Sequence, residues 1–192
     1  MVLLKYKGSS LFRQRVSSSL LSRHPLQITD IRTGDTSLDS SLLIGLQDFE
    51  ANFLRLIEKI ADGCHIEINE TGTTLKFKPG ILIGGKITHD CGKSRSIGWF
   101  IEGIIPLAMF CKTPLQLTLT CITNDALDIS VDILRSVTLP LLQNFGIQGT
   151  SLVVKRRGAA PKGGGLVELS IPIARTSLLP IHIVQEGEEE SV

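Results

Sequence analysis

The sequence predicts an α+β fold composed of two tandem units. Residues 25–29 read PLQIT and residues 114–118 read PLQLT, and each copy leads through an amphipathic segment to a glycine, Gly63 or Gly146. After that glycine, each copy continues into a strand pair interrupted by proline and glycines. Recurrence of a whole order of elements is typical of repeat architectures, and here it indicates units of roughly 80–90 residues.

Hydrophobic spacing predicts the elements of the first unit, residues 1–90. Residues 9–22 carry apolar side chains at helical intervals, and residues 26–31 alternate between apolar and polar as a strand does. The stretch 33–44 is rich in Gly, Asp, Ser and Thr, which indicates a loop. Residues 46–60 form the clearest helix, because their apolar side chains fall on one face.

Strands complete the first unit. Residues 65–69 and 75–77 alternate on either side of a Thr-Gly-Thr turn, and this pattern predicts a hairpin. A connection containing proline and glycines then leads to a further strand over residues 86–89.

The second unit, residues 91–176, repeats this order of elements. Pro140 lies inside its last helical pattern and predicts a kink or a late helix start there. Residues 177–192 carry glutamates near their end and are interpreted as the start of an inserted segment or as an acidic tail. The predicted elements of the second unit are helices over residues 94–110 and 130–145, a strand over 115–122, and a strand pair joined across 163–165.

Composition allows a sizeable core without a dominant charge. The chain has 192 residues, 42% of them apolar, and its 20 basic and 19 acidic side chains leave a net charge of +1. This balance argues against a uniformly basic coat for nucleic acid, whereas a local basic face stays compatible with it. The most apolar run, residues 97–110, is short for a membrane span and contains Glu102, so we expect a buried helix and no membrane partner.

Cysteine spacing argues against a zinc site. The four cysteines show no C-x-x-C pattern and no histidine at ligand spacing, which predicts buried or half-buried free thiols in a reducing compartment. The N-terminal sequence also lacks the apolar stretch and cleavage site of a secretory signal, so we expect none. The cysteines are Cys64, Cys91, Cys111 and Cys121.

Three short motifs place cations in surroundings that suit an anion. The first, residues 8–15, puts small residues at the start of a helix and adds Arg13 and Arg15. Unpaired N–H groups at a helix start and the forked donors of arginine both bind phosphates. An ordinary helix start with solvated arginines explains the same residues equally well, so both interpretations stay open.

The second motif, residues 91–96, combines a glycine, two serine hydroxyls, Lys93 and Arg95 immediately before a helix. These are the ingredients of a phosphate-binding nest, although the P-loop pattern is absent. A capped helix start is the alternative.

The third motif, residues 155–165, contains Arg157, Lys162 and a run of glycines. The glycines indicate a tight turn or a bulge, with close approach of a phosphate as the rarer use. Together the three motifs predict an anion-binding or RNA-binding set made of six residues: Arg13, Arg15, Lys93, Arg95, Arg157 and Lys162.

The sequence offers little for catalysis. The histidines are scattered, and none stands at the spacing of a Ser-His-Asp or Cys-His arrangement. The carboxylates Asp48, Glu50 and Glu58 decorate the predicted helix over residues 46–60, where a solvated face is the expected place for them. We therefore predict no catalytic residues and no metal ligands.

Glycine-, proline- and arginine-containing segments follow one another in a characteristic order. They lie at residues 8–15, 31–32, 45–46, 79–80 with 84–85, and 157–158 with 161–165. In that order they resemble the RNA 3'-terminal phosphate cyclase family, over nearly the whole chain up to about residue 173. More narrowly, the similarity is to the cyclase-like branch of that family, which acts in ribosome biogenesis, at residues 12–15, 48–50, 53–56, 72–74 and 122–125.

The resemblance implies a fold. It implies two of the family's three repeated units, each with two helices packed on a four-stranded sheet. The nucleophilic histidine of the true cyclases is then expected in the half that follows a small inserted domain, beyond the segment covered here. Residues 36–43 are longer than the family norm, which raises the prospect of a divergent or partial gene product.

Departures from the enzyme pattern imply that this chain is not a cyclase. Tyr6 stands where the cyclases carry an acidic residue, and Glu50 stands where they carry a histidine. Lys93 and Arg95 are substituted into the loop before the third helix. We therefore expect a non-catalytic protein without a cofactor, and keep an ATP-dependent cyclase and a pre-rRNA endonuclease as alternatives.

The resemblance also implies a place of action. It implies a nuclear, nucleolar factor of the small-subunit processome that acts in 18S pre-rRNA processing as a scaffold. Its implied partners are a ribosome-biogenesis GTPase, other processome proteins and pre-rRNA, with no membrane.

Overall fold

The computed structural model describes residues 2–33, 44–181 and 184. Most of the loop expected at residues 33–44 and of the expected acidic tail lies outside the described residues. Within the described part, helices and strands form an α+β fold with two four-stranded sheets.

The first sheet has the strand order β1-β2-β5-β4. β1 runs parallel to β2, and the hairpin expected around the Thr-Gly-Thr turn supplies the antiparallel strands β4 and β5. Two further short strands, β3 and β6, pair with each other beside it. The strands are β1 (Leu4–Lys7), β2 (Leu26–Thr29), β3 (Ala61–Asp62), β4 (His65–Ile68), β5 (Leu75–Lys78) and β6 (Ile81–Leu82).

The second sheet repeats the topology of the first. Its order is β7-β8-β10-β9, with β7 parallel to β8 and the other two pairings antiparallel. Lys5 opposite Gln27 in the first sheet therefore corresponds to Lys86 opposite Gln116 in the second. The strands are β7 (Gly85–Asp90), β8 (Leu115–Cys121), β9 (Ser151–Arg156) and β10 (Gly165–Ile171).

The first unit contributes two helices, of which α1 (Phe12–Ser22) packs on β2 and α2 (Asp48–Ile60) packs against α1 and β7. α1 begins three residues later than expected, because Leu11 adopts a left-handed conformation with φ 54°. α2 begins with a capping box in which the carboxylate of Glu50 accepts the backbone N–H of Gln47. Its apolar face is buried as its spacing predicts.

The second unit supplies the remaining helices. α3 (Ile97–Ala108) is shorter than the segment 94–110, because Ser96 is its N-cap and the residues before it form a loop. The helical segment expected around Pro140 does not begin late. α4 (Val131–Ile133) leads through a π-helical stretch, Leu134–Thr138, into α5 (Leu139–Asn144), and Pro140 lies in the first turn of α5.

One hydrophobic core runs through both units. α3 is buried over ten of its twelve residues, since it packs against α1 as well as against its own sheet. A side chain at Gly103 would meet the ring of Phe53 at 2.8 Å, so glycine there allows α2 and α3 to approach each other. The expected core helix over residues 97–110 is confirmed in this position.

The described helices include none with the length and apolarity needed to span a membrane. All four cysteines are free thiols; Cys64 is half-buried and the other three are buried. Burial raises the pKa of the Cys111 thiol to about 11, which keeps it protonated at neutral pH.

His89 in β7 is a buried side chain that can titrate. It is 4% exposed, its ring lies 6.1 Å from that of Phe100, and neither ring nitrogen has a partner among the described residues. Burial lowers the pKa of His89 from 6.5 to about 4; the cations of Lys59 and Arg55 add to the effect and Asp90 opposes it.

We expect this histidine to make stability depend on pH. Between pH 6.5 and 4 the unfolded chain binds a proton at His89 that the folded chain excludes, so the free energy of unfolding falls as pH falls. The expected loss is about 2 kcal/mol between pH 7.5 and 5. Urea unfolding of His89→Phe should lack this component, whereas the exposed-site control His65→Gln should keep it. If the free energy of unfolding depended on pH in the same way for wild type and His89→Phe, the explanation would be contradicted.

Candidate functional site

A cleft of about 260 Å³ lies where α1, α2 and the start of α3 meet. Its lining brings together the first and second basic motifs, through Arg13 and Arg95, although 82 positions separate these residues in the sequence. Its lining also includes Arg32, Phe49, Glu50 and Trp99.

The loop between β1 and α1 directs the first motif. Gly8 has φ 70°, so the chain turns sharply before the helix begins. Arg13, in the first turn of α1, then faces the cleft. Arg15 instead donates to the carbonyl oxygens of Lys7 and Gly8 at 3.2 and 2.8 Å, and its guanidinium lies 4.8 Å from the ring centre of Tyr6.

Trp99 is the centre of the cleft. The guanidinium carbons of Arg13 and Arg95 lie 4.5 and 5.4 Å from its ring centre, and that of Arg95 lies 5.2 Å from the ring centre of Phe49. Arg13 also donates to the carbonyl oxygen of Trp99. Cation–π contacts therefore hold both arginines against one aromatic wall.

Carboxylates of the protein neutralise both arginines. Arg13 Nη2 lies 2.8 Å from Glu102 of α3. Arg95 pairs with Asp128 through two of its nitrogens, and the backbone N–H of Ser96 donates to the same carboxylate at 3.0 Å. The hydrogen bond that Arg95 donates to Asp128 raises the pKa of Arg95. Burial alone would raise the pKa of Asp128, but the hydrogen bonds from Arg95 and Ser96 outweigh it and lower that pKa.

A third ion pair, between Arg32 and Glu50, also lines the cleft. Arg32 donates to both carboxylate oxygens of Glu50 at 2.7 and 2.9 Å, and to the carbonyl oxygen of Gly45 at 3.0 Å. The side chains of Arg32 and Glu50 are only 13% and 2% exposed. The placement of Glu50 on a solvated helix face was therefore wrong, because its position in the capping box turns it toward Arg32.

The sequence contained a partial signal for this pair. Gln47 and Glu50 have capping-box spacing, which identifies the helix start and the inward carboxylate. Arg32 lies outside every basic motif, and only the folded chain brings it to Glu50.

The third basic motif lies in a separate cluster. Arg157 donates to Asp132 at 2.5 and 2.8 Å and to Asn124 at 3.4 Å, and does not line the cleft. The hydrogen bond from Arg157, with a second from Asn124, lowers the pKa of Asp132 to about 2. A side chain at Gly158 would lie 2.3 Å from the carbonyl oxygen of Cys121, so this glycine serves close backbone packing.

The two lysines of the predicted anion-binding set are exposed. Lys93 precedes α3 and Lys162 lies in the connection between β9 and β10. Neither belongs to an ion pair with any other described residue. Within the described residues, no group of three or more His, Cys, Asp or Glu side chains is placed so that it could hold a metal ion.

Comparison with known proteins gives the family. The profile described as RNA 3'-terminal phosphate cyclase matches residues 4–185. The chain belongs to the RNA 3'-terminal phosphate cyclase family. The family resemblance expected from the glycine, proline and arginine segments is thereby confirmed, as is the α+β fold.

Curated relatives place the chain close to the cyclase-like proteins. It is 46% identical over 188 residues to the probable RNA 3'-terminal phosphate cyclase-like protein of Dictyostelium discoideum, covering 97% of this chain and 49% of that protein. It is 46% identical over 187 residues to the human RNA 3'-terminal phosphate cyclase-like protein, covering 96% of this chain and 48% of that protein. The rRNA processing protein rcl1 of Schizosaccharomyces pombe is 38% identical over 187 residues, covering 96% and 50%.

This family member spans about half the length of the curated relatives it matches. Among solved structures, an EPSP synthase from Acinetobacter baumannii matches 93% of this chain and 49% of that chain, at 16% identity and a TM-score of 0.38. That score is too low to support a shared function.

We expect the pair formed by Arg32 and Glu50 to be essential for stability. Glu50→Gln removes the negative charge and leaves a largely buried guanidinium unpaired, which should lower the free energy of unfolding by about 3 kcal/mol. The control Glu67→Gln breaks an exposed ion pair with Lys76 and should change the free energy of unfolding by less than about 0.5 kcal/mol. Urea unfolding at pH 7 measures both. Similar losses for the two variants would show that Glu50 is not electrostatically important.

Proposed function

We propose that this protein acts in rRNA processing during ribosome biogenesis, as a non-catalytic scaffold in the nucleolus. In this proposal it contributes to 18S maturation within the small-subunit processome, contacting pre-rRNA, processome proteins and a ribosome-biogenesis GTPase. Support comes from the relatives, since several are named cyclase-like and one is named an rRNA processing protein.

The observation that carries the proposal is the internal neutralisation of the cleft. Arg13, Arg32 and Arg95 each have a carboxylate partner within the protein. Among the described residues that line the cleft there is no histidine, cysteine or lysine to serve as a nucleophile or base near neutral pH. Such a cleft favours a rigid structural role over group transfer.

Contact with RNA is compatible with these ion pairs. A guanidinium carries five N–H donors, so an arginine bound to one carboxylate keeps donors for a phosphate. Arg157 is likewise bound to one carboxylate, Arg15 donates to backbone carbonyl oxygens, and Lys93 and Lys162 are exposed. We propose that these six residues form secondary contacts with pre-rRNA around the scaffold.

Adenylation tests the non-catalytic proposal. The purified chain, incubated at high concentration with ATP labelled on the α-phosphate, should gain no covalent label, and labelled pre-rRNA should stay uncut. A full-length cyclase of the family serves as the positive control. Label on the protein would favour the ATP-dependent cyclase, and defined cleavage of the RNA would favour the endonuclease.

Recovery from cells tests the role in rRNA processing. Tagged protein should co-purify with 18S precursors and with the nucleolar GTPase, and the GTPase should remain bound at high salt if the described units form its docking surface. The double variant Arg13→Ala, Arg95→Ala should recover less pre-rRNA, whereas the control Arg23→Ala, on an exposed arginine at the end of α1, should not. Absence of both RNA and GTPase, with a full-length relative as positive control, would contradict the proposal.

A further inference from the structure

The outer face of the first sheet carries four lysines. Side chains alternate across a strand, so the apolar residues of β1 and β5 face the helices while Lys5, Lys7, Lys76 and Lys78 face outward. All four are exposed. This surface, called the lysine face, is separate from the cleft beside Trp99.

The equivalent surface of the second sheet differs in charge. The two sheets share one topology, so their outer faces can be compared strand by strand. On the second sheet the outward charges are Lys86, Asp90, Lys155, Glu168 and Arg156, which a bulge in β9 sets opposite the outward Leu166; they sum to +1, and Lys155 lies 3.2 Å from Glu168. The excess of positive charge is therefore larger on the first sheet than on the second.

Two carboxylates offset the lysine face only in part. Asp30 lies 3.6 Å from Lys7, and Glu67 lies 3.3 Å from Lys76. Lys5 and Lys78 have no ion pair in the described part of the chain. Four lysines against two carboxylates leave an excess of two positive charges on this face.

Strand geometry brings these charges close enough to reinforce one another. Lys5 and Lys7 are two residues apart, about 6.6 Å along a strand, and Lys76 lies two strands from Lys5, about 9.6 Å away. These separations do not exceed the screening length of about 10 Å at 0.1 M salt. The lysines therefore repel one another in the free protein, and a polyanion would relieve that repulsion.

The lysine face is also open and shallow. One depression of about 380 Å³ is lined by residues of β1 and β2, and a neighbouring one of about 300 Å³ by residues of β2, β4 and β5. Gln27 lines both, so the two depressions adjoin across the sheet. Lys5 and Lys7 belong to the first depression, and Lys76 and Lys78 to the second.

We propose that the lysine face binds the phosphodiester backbone of RNA without reading its sequence. The proposal deepens the function proposed above, on which it rests, by adding a contact surface outside the six predicted residues. The apolar side chains Leu3 and Pro25 lie at one edge of the second depression, Leu3 being 42% exposed, whereas Leu26 and Phe77 beneath the face are only 1% exposed. The lysines are thus a feature shared by both depressions, and the centre of the face lacks the large buried anchors typical of protein interfaces. Phosphate contacts need only cations within reach.

Binding of a labelled 20-nucleotide oligouridylate, followed by fluorescence anisotropy at several salt concentrations, tests the proposal. The variant Lys5→Ala, Lys78→Ala should bind about tenfold more weakly at low salt. Its log-log salt slope should be smaller in magnitude by about 1.4, because each phosphate contact on a single strand contributes about 0.7. The control Lys86→Ala, Lys155→Ala changes two lysines on the equivalent face and should bind as wild type does.

Two results would overturn the proposal. The first is a Lys5→Ala, Lys78→Ala variant with the affinity and slope of wild type. The second is polyglutamate of equal charge that binds as tightly as oligouridylate and loses binding in the same variant, which would identify an acidic protein segment as the partner. Thermal melting of both double variants, all four of whose substitutions are exposed, confirms that each is folded.

The failure of this proposal is distinguishable from the failure of the proposed function. If the lysine variant binds oligouridylate normally while tagged wild-type protein still recovers pre-rRNA, only the lysine face is excluded as the contact. If wild type recovers no pre-rRNA from cells yet oligouridylate binding depends on the lysines, the face binds RNA and the role in rRNA processing is wrong.

Discussion

The burial of α3 between the two units is the constraint on which the rest of the structure depends. A helix that packs against α1 and α2 on one side and its own sheet on the other must be apolar nearly all round. It must also lack side chains at the positions where neighbouring elements approach its backbone. A side chain at Gly98 would lie 1.8 Å from the carbonyl oxygen of Ile129, and one at Gly103 would meet Phe53. One core then stabilises both units.

The candidate cleft is a consequence of this packing. α3 contributes Trp99 and Glu102, α1 contributes Arg13, and the loop before α3 contributes Arg95. Arg13 and Arg95 each stack on an aromatic ring and pair with a carboxylate, so their charges are satisfied within the protein. These contacts join α1 to α3 and to the loop before α3.

The two four-stranded sheets share one topology and have different outer surfaces. Core positions are held by packing, whereas outward positions such as Lys76 and its counterpart Ser170 are free to diverge. The outer faces are therefore where differences in binding between the units can arise, and the first face is the more basic one.

Periodicity and turn residues determined much of this protein by themselves. The repeat, the helices α1 to α3, the hairpin and the buried thiols follow from local spacing, because spacing reports which side chains face the interior. The partners of the arginines do not follow from it. Glu50 looks like an ordinary surface carboxylate in the sequence and was wrongly placed for that reason, and local spacing does not mark Glu102 or Asp128 as partners of Arg13 and Arg95. Only the tertiary structure decided which charges meet, since that depends on how distant elements pack around α3.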